Sequence, residues 1–457
     1  MKKRLTAVLL CGLMTAAAAL SGCGSSASTS GSSAAQSSSG SVDASKAGLT
    51  DPNDIKGDLR LSVWGSDAEI ECDNEVINAF MQKYPNCKVE LEVINDDYLT
   101  KVETEMLAND APDVIYGHPK YFQKWASQGL LLDLTPYFNN HPELLDSTHY
   151  ATDIYDAFTY QDKYYSTVNG ADTTLLFYNQ KLFDEAGVPY PSDSWTWDDF
   201  LSACSKLTKD TNGDGVTDQY AISSAWSHEN IQAFMAAYGG EIYDDVNNPT
   251  KVTIAGNDAD KKGLQMMYDL TFKYNYAPTS EQSEALSGGF DTGQIAMDLG
   301  GVYNIVYRSA QDGGLDFPYG LAKLPQVGAD AHSVALMAGY CVPKSEKNPE
   351  AAWALASFME SETGQKLLAK SGLITVINKD IASSDEVINI PNAPANHMLR
   401  VTSLEGAVNV DAKLPNWQET LDTGWQPAID QLWNGDTTVD ETLQTLQTNL
   451  TNMLSQN

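Results

Sequence analysis

The chain has 457 residues and a formal net charge of −33, from 28 lysines and arginines against 61 aspartates and glutamates. A single hydrophobic core rarely grows beyond about 250–300 residues, so the length predicts at least two lobes. A hydrophobic fraction of 42% argues against a chain that is disordered throughout. The negative charge argues against a nucleic-acid partner, because it would repel phosphate backbones.

The first residues have the composition of a secretory signal peptide. Three basic residues at 2–4 precede an apolar run over residues 5–20, which is short for a membrane-spanning helix. The run ends in Leu20-Ser21-Gly22-Cys23, which is similar to a bacterial lipobox. This similarity implies that a signal peptide over 1–22 is removed, that Cys23 is lipidated, and that the protein is anchored at the extracellular face of the cell membrane. A chance cysteine after an ordinary signal peptide is the alternative.

A serine-rich stretch follows this cysteine. Residues 24–45 contain 11 serines in 22 positions, with Gly, Ala and Thr between them. Such a composition cannot form a packed core, so we expect a flexible tether that, together with the lipidated cysteine, covers residues 23–56. Its root-mean-square reach is roughly 30 Å. The body of the protein would then contact the membrane only through its lipid anchor.

Four cysteines remain in the body of the chain, at Cys72, Cys87, Cys204 and Cys341. An even number outside the cell permits disulfides, yet the helix predicted between Cys72 and Cys87 would hold those two about 18 Å apart. The four also lack the paired spacing of a zinc site. We therefore predict that all four are small, buried, unpaired side chains, and a structural disulfide is the alternative.

The beginning of the body alternates strand and helix patterns. The predicted elements are a strand over 59–64, a helix over 76–84, a strand over 88–93, a helix over 99–106 and a strand over 112–116. This order predicts an α/β fold, with a parallel sheet covered by helices on both faces. In such sheets ligands bind outside the carboxyl ends of the strands. Residues that follow the strands are therefore the first candidates for a binding site.

Five sequence blocks occur in an order that resembles the family 1 extracellular solute-binding proteins, the maltose-binding-protein-like sugar receptors of ABC importers. The blocks are Leu61–Gly65; Ala111–Val114 with Gly129–Tyr137; Phe177–Gly187 with Trp195–Phe200; Phe290–Tyr303; and Lys347–Trp353. The resemblance spans about residues 58–455, nearly the whole body. One block alone would be weak, but five in the right order are specific for the family, although not for the ligand.

The resemblance implies a periplasmic-binding-protein-like fold of type II, with two α/β lobes and multiple crossovers around a ligand cleft. It places an N-terminal lobe at 57–168 plus 335–376 and a C-terminal lobe at 169–334 plus 377–457, with crossings near 169–173, 333–337 and 376. It further implies a monomeric receptor that is not an enzyme. Such a receptor binds a sugar or oligosaccharide between its lobes and delivers it to the permease subunits of an ABC transporter.

A sugar offers apolar faces and a ring of hydroxyls, so aromatic rings and short polar side chains suit its recognition. Trp64 closes the first strand and matches the family position, and Tyr303 stands where the family usually has tryptophan. For each aromatic the alternative is a place in the core, and for each aspartate a helix cap or a solvated charge. The candidate ligand-binding residues are Trp64, Asp67, Tyr116, His118, Asp172, Trp226, Asp298, Tyr303 and Tyr340.

A separate motif runs from Asp210 to Asp218 and has the spacing of the first nine positions of an EF-hand calcium loop. Its twelfth position is Ala221, so the bidentate glutamate is missing. No cofactor is required by this sequence, but a structural Ca²⁺ distal to the cleft is one interpretation of the loop. The alternative is an Asx turn stabilised by its own side chains. The candidate calcium ligands are Asp210, Asn212, Asp214, Val216 and Asp218.

Rival functions remain at this point. A surface glycoside hydrolase would need two carboxylates about 5–9 Å apart. The sequence contains 61 acidic residues, so a count alone cannot exclude such a pair. No hydrolase motif is visible and the resemblance supplies no catalytic residue. The sequence is also compatible with a receptor for a non-sugar polar solute and with an adhesive surface lipoprotein. It does not identify the sugar.

Overall fold

The computed structural model describes residues 43–146, 152–224, 226–286, 288–310, 314–372, 374–388, 390 and 392–457. The predicted signal peptide over 1–22 and the lipidation site at Cys23 lie outside these residues. Among the described residues, none of the helices combines the length and the apolar character needed to cross a membrane.

Residues 43–55, placed in the tether by their composition, lie against the body in the structure. The side chain of Ala47 is fully buried. The Glu350 carboxylate accepts hydrogen bonds from the backbone N–H of Gly48 and from the Thr50 hydroxyl. This segment packs because it contains a few apolar side chains and because a carboxylate of the body accepts its polar hydrogens.

The N-terminal part of the body alternates strands and helices as predicted. Its elements are β1 (Lys56–Val63), α1 (Asp67–Lys83), β2 (Asn86–Val93), α2 (Tyr98–Ala108), β3 (Val114–Gly117), α3 (Pro119–Ser127) and α4 (Thr135–Asn140). Ser66 begins α1 with a capping box: its side chain accepts from the N–H of Glu69, and the Glu69 carboxylate accepts from the N–H of Ser66. Because β1 pairs in parallel with both β2 and β3, the carboxyl ends of β1 and β3 lie at one edge of the sheet.

The middle of the chain contributes two short 3₁₀ helices, Pro142–Leu145 and Thr152–Phe158, and one long strand. The elements after them are β4 (Thr159–Tyr160), β5 (Lys163–Tyr164), β6 (Ser166–Asn179), α5 (Gln180–Ala186), α6 (Trp197–Leu207), β7 (Tyr220–Ile222), α7 (His228–Ala236), a 3₁₀ turn (Ile254–Gly256), α8 (Asp258–Phe272), α9 (Ser280–Ala285), β8 (Ile295–Gly301), α10 (Asn304–Ala310) and β9 (Tyr319–Ala322). Every residue of β6 is buried, as expected of a strand that runs through the centre of a protein.

The last part of the chain returns to the sheet and then becomes mainly helical. Its elements are β10 (Val334–Cys341), α11 (Pro349–Phe358), α12 (Glu362–Ser371), α13 (Lys379–Ala382), α14 (Asp385–Ile388), α15 (Leu399–Thr402), β11 (Val408–Asn409), α16 (Trp417–Glu419), a π-helical turn (Thr420–Trp425), α17 (Gln426–Trp433) and α18 (Val439–Leu454). The main sheet has the order β2-β1-β3-β10-β6-β8-β7.

Strands β6 and β10 connect the two ends of this sheet. The first half of β6 pairs antiparallel with β10, and its second half pairs antiparallel with β8 and β9. The three predicted crossings lie side by side, because Ala171 faces Met337 in the β6–β10 register and also bridges Thr375. The register shifts between Ala338 and Gly339, where a Cβ on the glycine would lie 2.0 Å from the Thr167 carbonyl oxygen.

Buried apolar side chains form separate cores at the two ends of the sheet. One core draws mainly on residues 47–171 and 335–387. The other end draws on residues 175–334 and 410–450. This division is what two lobes require, since each lobe must bury its own apolar surface. The individual boundaries at 168, 334 and 376 stay predictions.

The four body cysteines are all buried and unpaired. This confirms the prediction made for Cys72, Cys87, Cys204 and Cys341. Cys204 and Cys341 are completely excluded from solvent, and burial raises the pKa of each of these two thiols. They therefore act as small apolar side chains.

Candidate functional site

A cavity of about 640 Å³ lies where β6 and β10 pass between the two cores. Seven of the nine candidate ligand-binding residues line it. They are Trp64, Tyr116, His118, Asp172, Asp298, Tyr303 and Tyr340. Residues separated by more than 200 positions in the sequence thus meet in one place, although a ligand role for each of them stays a prediction.

One side of the cavity, which we call the aromatic wall, is formed by Trp64, Tyr116, His118 and Tyr340. The Trp64 ring lies 4.6 Å from the Tyr116 ring and 5.4 Å from the His118 ring, centroid to centroid. Tyr116 lies 5.3 Å from Tyr340. The fold brings these rings together because Trp64 follows β1, Tyr116 belongs to the adjacent β3, and Tyr340 faces Tyr116 in the register of β10.

His118 is held in one orientation at the start of α3. Its Nδ1 lies 2.8 Å from the carbonyl oxygen of Met337. Since a carbonyl oxygen only accepts, Nδ1 carries the hydrogen and donates it. Burial and the charge of Lys120 lower the pKa of His118, so the ring is neutral at pH 7. Its Nε2 is therefore an acceptor.

Asp172 joins the cavity to the crossing segments. Its carboxylate accepts a 3.0 Å hydrogen bond from the backbone N–H of Thr375. Burial raises the pKa of Asp172 to about 7, although the bond from Thr375 and the charge of Arg400 act in the opposite direction. Asp172 therefore fastens β6 to the third crossing as well as facing the cavity.

The opposite side, which we call the polar wall, is formed by Ser227, Glu229, Asn230, Asp298 and Asp411. Within it Asp298 forms an ion pair with Arg308, whose Nε also donates to Asp291 over 2.8 Å. The guanidinium lies 4.4 Å from the ring centroids of Phe177 and Phe290. Because the guanidinium is almost fully buried, this arrangement compensates the Asp298 charge before any ligand arrives.

Asp411 is similarly engaged. The indole N–H of Trp417 donates to its carboxylate over 2.8 Å, and His228 Nε2 lies 3.6 Å away. Burial alone would raise the pKa of Asp411, but His228 and the charge of Lys120 outweigh it and hold the pKa well below its usual range. The second ring nitrogen of His228, Nδ1, lies 3.2 Å from Glu229, so this histidine lies between the two carboxylates.

Two tyrosines line the cavity at α10: Tyr303 stands immediately before this helix and Tyr307 lies within it. Tyr303 is 39% exposed, and its ring lies 5.8 Å from that of Tyr307. The Tyr307 hydroxyl donates to Glu69 over 3.0 Å. This bond joins α10 to the beginning of α1 across the cavity, and thus connects its two sides directly.

Two candidates do not line the cavity. Asp67 is exposed in the first turn of α1, where the helix dipole favours a carboxylate. Trp226 lies 4.3 Å from Trp433, centroid to centroid, and packs beside it. Asp67 thus matches the alternative of a charge at a helix terminus, and Trp226 matches the alternative of an aromatic side chain packed in the protein.

Several polar residues that line the cavity are not among those predicted from sequence. The i, i+4 spacing of Glu69 and Asp73 could have indicated these two residues, because side chains four positions apart share a face of α1. No local pattern distinguishes the others, since they reach the cavity from distant parts of the chain. The polar lining residues outside the prediction include Glu69, Asp73, Lys120, Glu229 and Asp411.

The loop proposed for calcium is closed by its own hydrogen bonds. The Asp210 carboxylate accepts from the N–H groups of Gly213, Asp214 and Gly215. Asp218 accepts from Thr211. In the described part of the chain, no group of three or more His, Cys, Asp and Glu side chains is placed to hold a metal ion. These bonds are those of the Asx-turn alternative, and the calcium site stays a prediction.

The chain is similar to several known proteins. Residues 73–366 match the family model described as bacterial extracellular solute-binding protein. An uncharacterized ABC transporter extracellular-binding protein of Pyrococcus horikoshii is 25% identical over 97% of both chains. The galactooligosaccharide-binding protein of Bacillus subtilis is 24% identical over 67% of this chain and 70% of its own length.

A solved structure is also similar. An ABC substrate-binding protein of Listeria monocytogenes, in complex with cycloalternan, superposes with a TM-score of 0.76 at 24% identity, over 88% of this chain and all of that chain. At this identity the likeness establishes the fold, and it confirms the predicted two-lobe α/β fold of binding proteins.

Proposed function

Because this chain belongs to the bacterial extracellular solute-binding proteins, we propose that it is the receptor of an ABC importer and binds a sugar or oligosaccharide in the cavity between the aromatic and polar walls. The family consists of solute receptors rather than enzymes, which removes the support for the glycoside hydrolase alternative. The permease subunits of the importer are the proposed partner, and the bound sugar is delivered unchanged.

The observation that carries the proposal is the aromatic wall itself. Three rings and an imidazole face a cavity of about 640 Å³, a size within the usual range for small-ligand sites. Flat rings suit the apolar faces of a pyranose, while carboxylates and amides opposite them suit its hydroxyls. The names of two relatives support this ligand class, since one binds galactooligosaccharides and one was solved with cycloalternan.

Ligand binding would shift an equilibrium between open and closed arrangements of the lobes. The three crossings at Ala171, Met337 and Thr375 lie together and are short enough to act as one hinge. A ligand that contacts both walls favours the closed form by its extra contacts there. The closed form would then be recognised by the transporter.

The lipobox similarity supports a further part of the proposal. The mature chain is a monomer carried on the outer face of the cell membrane by a lipid on Cys23. Substitution Cys23→Ser would release the receptor from the membrane fraction into the medium, as measured by partition into detergent. Retention of the variant in the membrane fraction would contradict the lipid anchor.

The function is tested by thermal-shift and calorimetric titration against neutral oligosaccharides such as maltotriose, mannotriose and galactobiose. We expect at least one to raise the melting temperature and to be recovered intact. Cleavage of the sugar would instead support the hydrolase. Binding only to non-sugar polar solutes would show that the protein is a receptor for such solutes. No response to either kind of ligand would favour the adhesive lipoprotein.

A further inference from the structure

Helix α1 turns two carboxylates toward the cavity. Glu69 and Asp73 both line it, one turn apart on the same face of the helix. They stand beside the aromatic wall: burial is the main cause that raises the pKa of Tyr116 and Tyr340, and the negative charge of Asp73 adds to it in both. Asp73 thus lines the same cavity as these two rings and acts on both through its charge.

Most of the cavity carboxylates have partners within the protein. Glu69 accepts from the N–H of Ser66 and from the Tyr307 hydroxyl. The other engaged carboxylates, with their partners, are Asp172 with Thr375, Glu229 with His228, Asp298 with Arg308, and Asp411 with Trp417 and His228.

Asp73 differs from all of these. Within the part of the chain that the structure describes, its carboxylate receives no hydrogen bond and forms no ion pair. Burial, with a further contribution from the charge of Glu69, raises its pKa to about 7. A partly buried carboxylate without donors is unfavourable, and a ligand that brings donors removes that cost.

The basic side chain among the described lining residues, Lys120, does not compensate Asp73. Burial would lower the pKa of Lys120, but the charges of Asp411 and Glu229 outweigh it and raise the pKa. Lys120 therefore interacts with carboxylates of the polar wall, although its charge also acts on His118 of the aromatic wall. The end of the cavity at Asp73 offers acceptors to a ligand, together with an excess of negative charge.

We propose that Asp73 is a ligand-binding residue that accepts hydrogen bonds from the hydroxyls of a sugar lying against Tyr116, and that this end of the cavity rejects sugars with an acidic group. This inference rests on the proposed function and refines it. The ligand class becomes neutral, hydroxyl-rich carbohydrate rather than uronic acids or sugar phosphates.

The test compares Asp73→Asn with Glu71→Gln, since Glu71 is exposed on the same helix and does not line the cavity. Calorimetry at pH 8 measures Kd for the tightest-binding sugar among maltotriose, mannotriose and galactobiose. Asp73→Asn should weaken binding about 10–100-fold, as expected when hydrogen bonds to a charged acceptor are lost, while the control stays within about 2-fold. Asn keeps the shape of the side chain, and far-ultraviolet circular dichroism checks that the variant is folded.

A second measurement addresses the charge selectivity. Digalacturonate should bind the wild-type protein at least about 10-fold more weakly than the tightest neutral sugar, and Asp73→Asn should narrow that gap. This inference would be overturned if the wild-type protein and Asp73→Asn bound a neutral sugar equally well. It would also be overturned if the wild-type protein bound digalacturonate more tightly than the neutral sugars. Either result would leave the proposed function standing. Failure of wild-type protein to bind any sugar would overturn both.

Discussion

The two walls of the cavity are built on different principles. The aromatic wall presents rings, and beside it stands one carboxylate, Asp73, that is not engaged within the described part of the protein. The polar wall presents carboxylates already held by Arg308, His228 and Trp417. The rings and Asp73 gain contacts when a ligand binds, whereas the carboxylates of the polar wall have already formed their contacts on folding. Substitutions in the two walls should therefore affect different quantities.

This division follows from how each wall is assembled. The rings of the aromatic wall stand at or near the ends of adjacent strands, which main-chain pairing places side by side, and His118 is also held by its hydrogen bond to the Met337 carbonyl oxygen. The charged groups of the polar wall reach the cavity from α7, from β8 and from the segment after β11. There each buried charge needs a partner, since an unpaired one costs several kcal/mol. The polar wall thus contributes to stability and the aromatic wall to affinity.

The largest effect is expected on the free energy of unfolding. Substitution Arg308→Met leaves Asp298 and Asp291 without their cation and should lower the free energy of unfolding by about 3–5 kcal/mol. Urea unfolding measures it. The matched control is Lys366→Met, which removes an exposed pair with Glu362 and should cost less than about 0.5 kcal/mol. Equal losses in the two variants would contradict the role given to the polar wall.

The next effect is expected on affinity. Substitution Trp64→Ala removes the central ring of the aromatic wall and should raise the Kd for the sugar about 30-fold, equivalent to about 2 kcal/mol. Calorimetry below the unfolding temperature gives the value. Trp195→Ala is the control, because this half-buried tryptophan does not line the cavity. If Trp195→Ala weakened binding as much as Trp64→Ala, the aromatic wall would not be the sugar-binding surface.

The two walls also differed in how readily the sequence revealed them. Trp64, Tyr116 and His118 follow strands that alternation and the family blocks both indicate, so the rule for strand ends was sufficient to find them. Asp67 stands equally close to a strand end, yet its side chain is exposed, whereas Glu69 in the same turn of α1 lines the cavity. A shift of a few residues along a helix moves a side chain to another face of that helix, and composition does not determine which face lines the cavity.

The polar wall was largely beyond sequence reasoning. Asp411 and Glu229 are separated by more than 180 positions and share His228, a contact that no local spacing records. Asp298 was found only through its family block, and its partner Arg308 was not identified. Ion pairs between distant segments depend on tertiary packing, which hydrophobic periodicity does not encode. The strands and helices at the beginning of the body, by contrast, were predictable because their patterns are local, and the two-lobe fold was predicted through the family resemblance.

A second carboxylate without a hydrogen-bond partner among the described residues, Asp260, lies away from the large cavity. Asp260 is fully buried beside a separate cavity of about 340 Å³, and neither of its carboxylate oxygens has a hydrogen-bond partner in the described part of the chain. Burial, with a contribution from Glu241, raises its pKa to about 8. Its ordinary value in an unfolded chain is about 3.9, so the folded protein binds more protons between these two values.

The sign of the pH dependence follows from this difference. Stability should fall as pH rises from about 4 to about 8, with a slope from this group that approaches about 1.4 kcal/mol per pH unit. Asp260→Asn removes the slope and should be more stable than wild type at pH 8. Urea unfolding at pH 5, 6, 7 and 8 tests it. Parallel pH profiles for the two proteins would show that Asp260 is not buried in its protonated form.

The smallest effect is expected at the loop over 210–218, which belongs to neither wall. Asp210→Ala leaves three backbone N–H groups without their acceptor and should lower the melting temperature by roughly 1–3 °C in the presence of a chelator. The Kd for sugar should not change, since the loop does not line the cavity. The calcium prediction adds a second expectation: Ca²⁺ added after chelation raises the melting temperature of the wild type but not of Asp210→Ala. If Ca²⁺ shifts neither protein, the loop is an Asx turn alone, and its carboxylates, like those of the polar wall, are already satisfied by the folded chain.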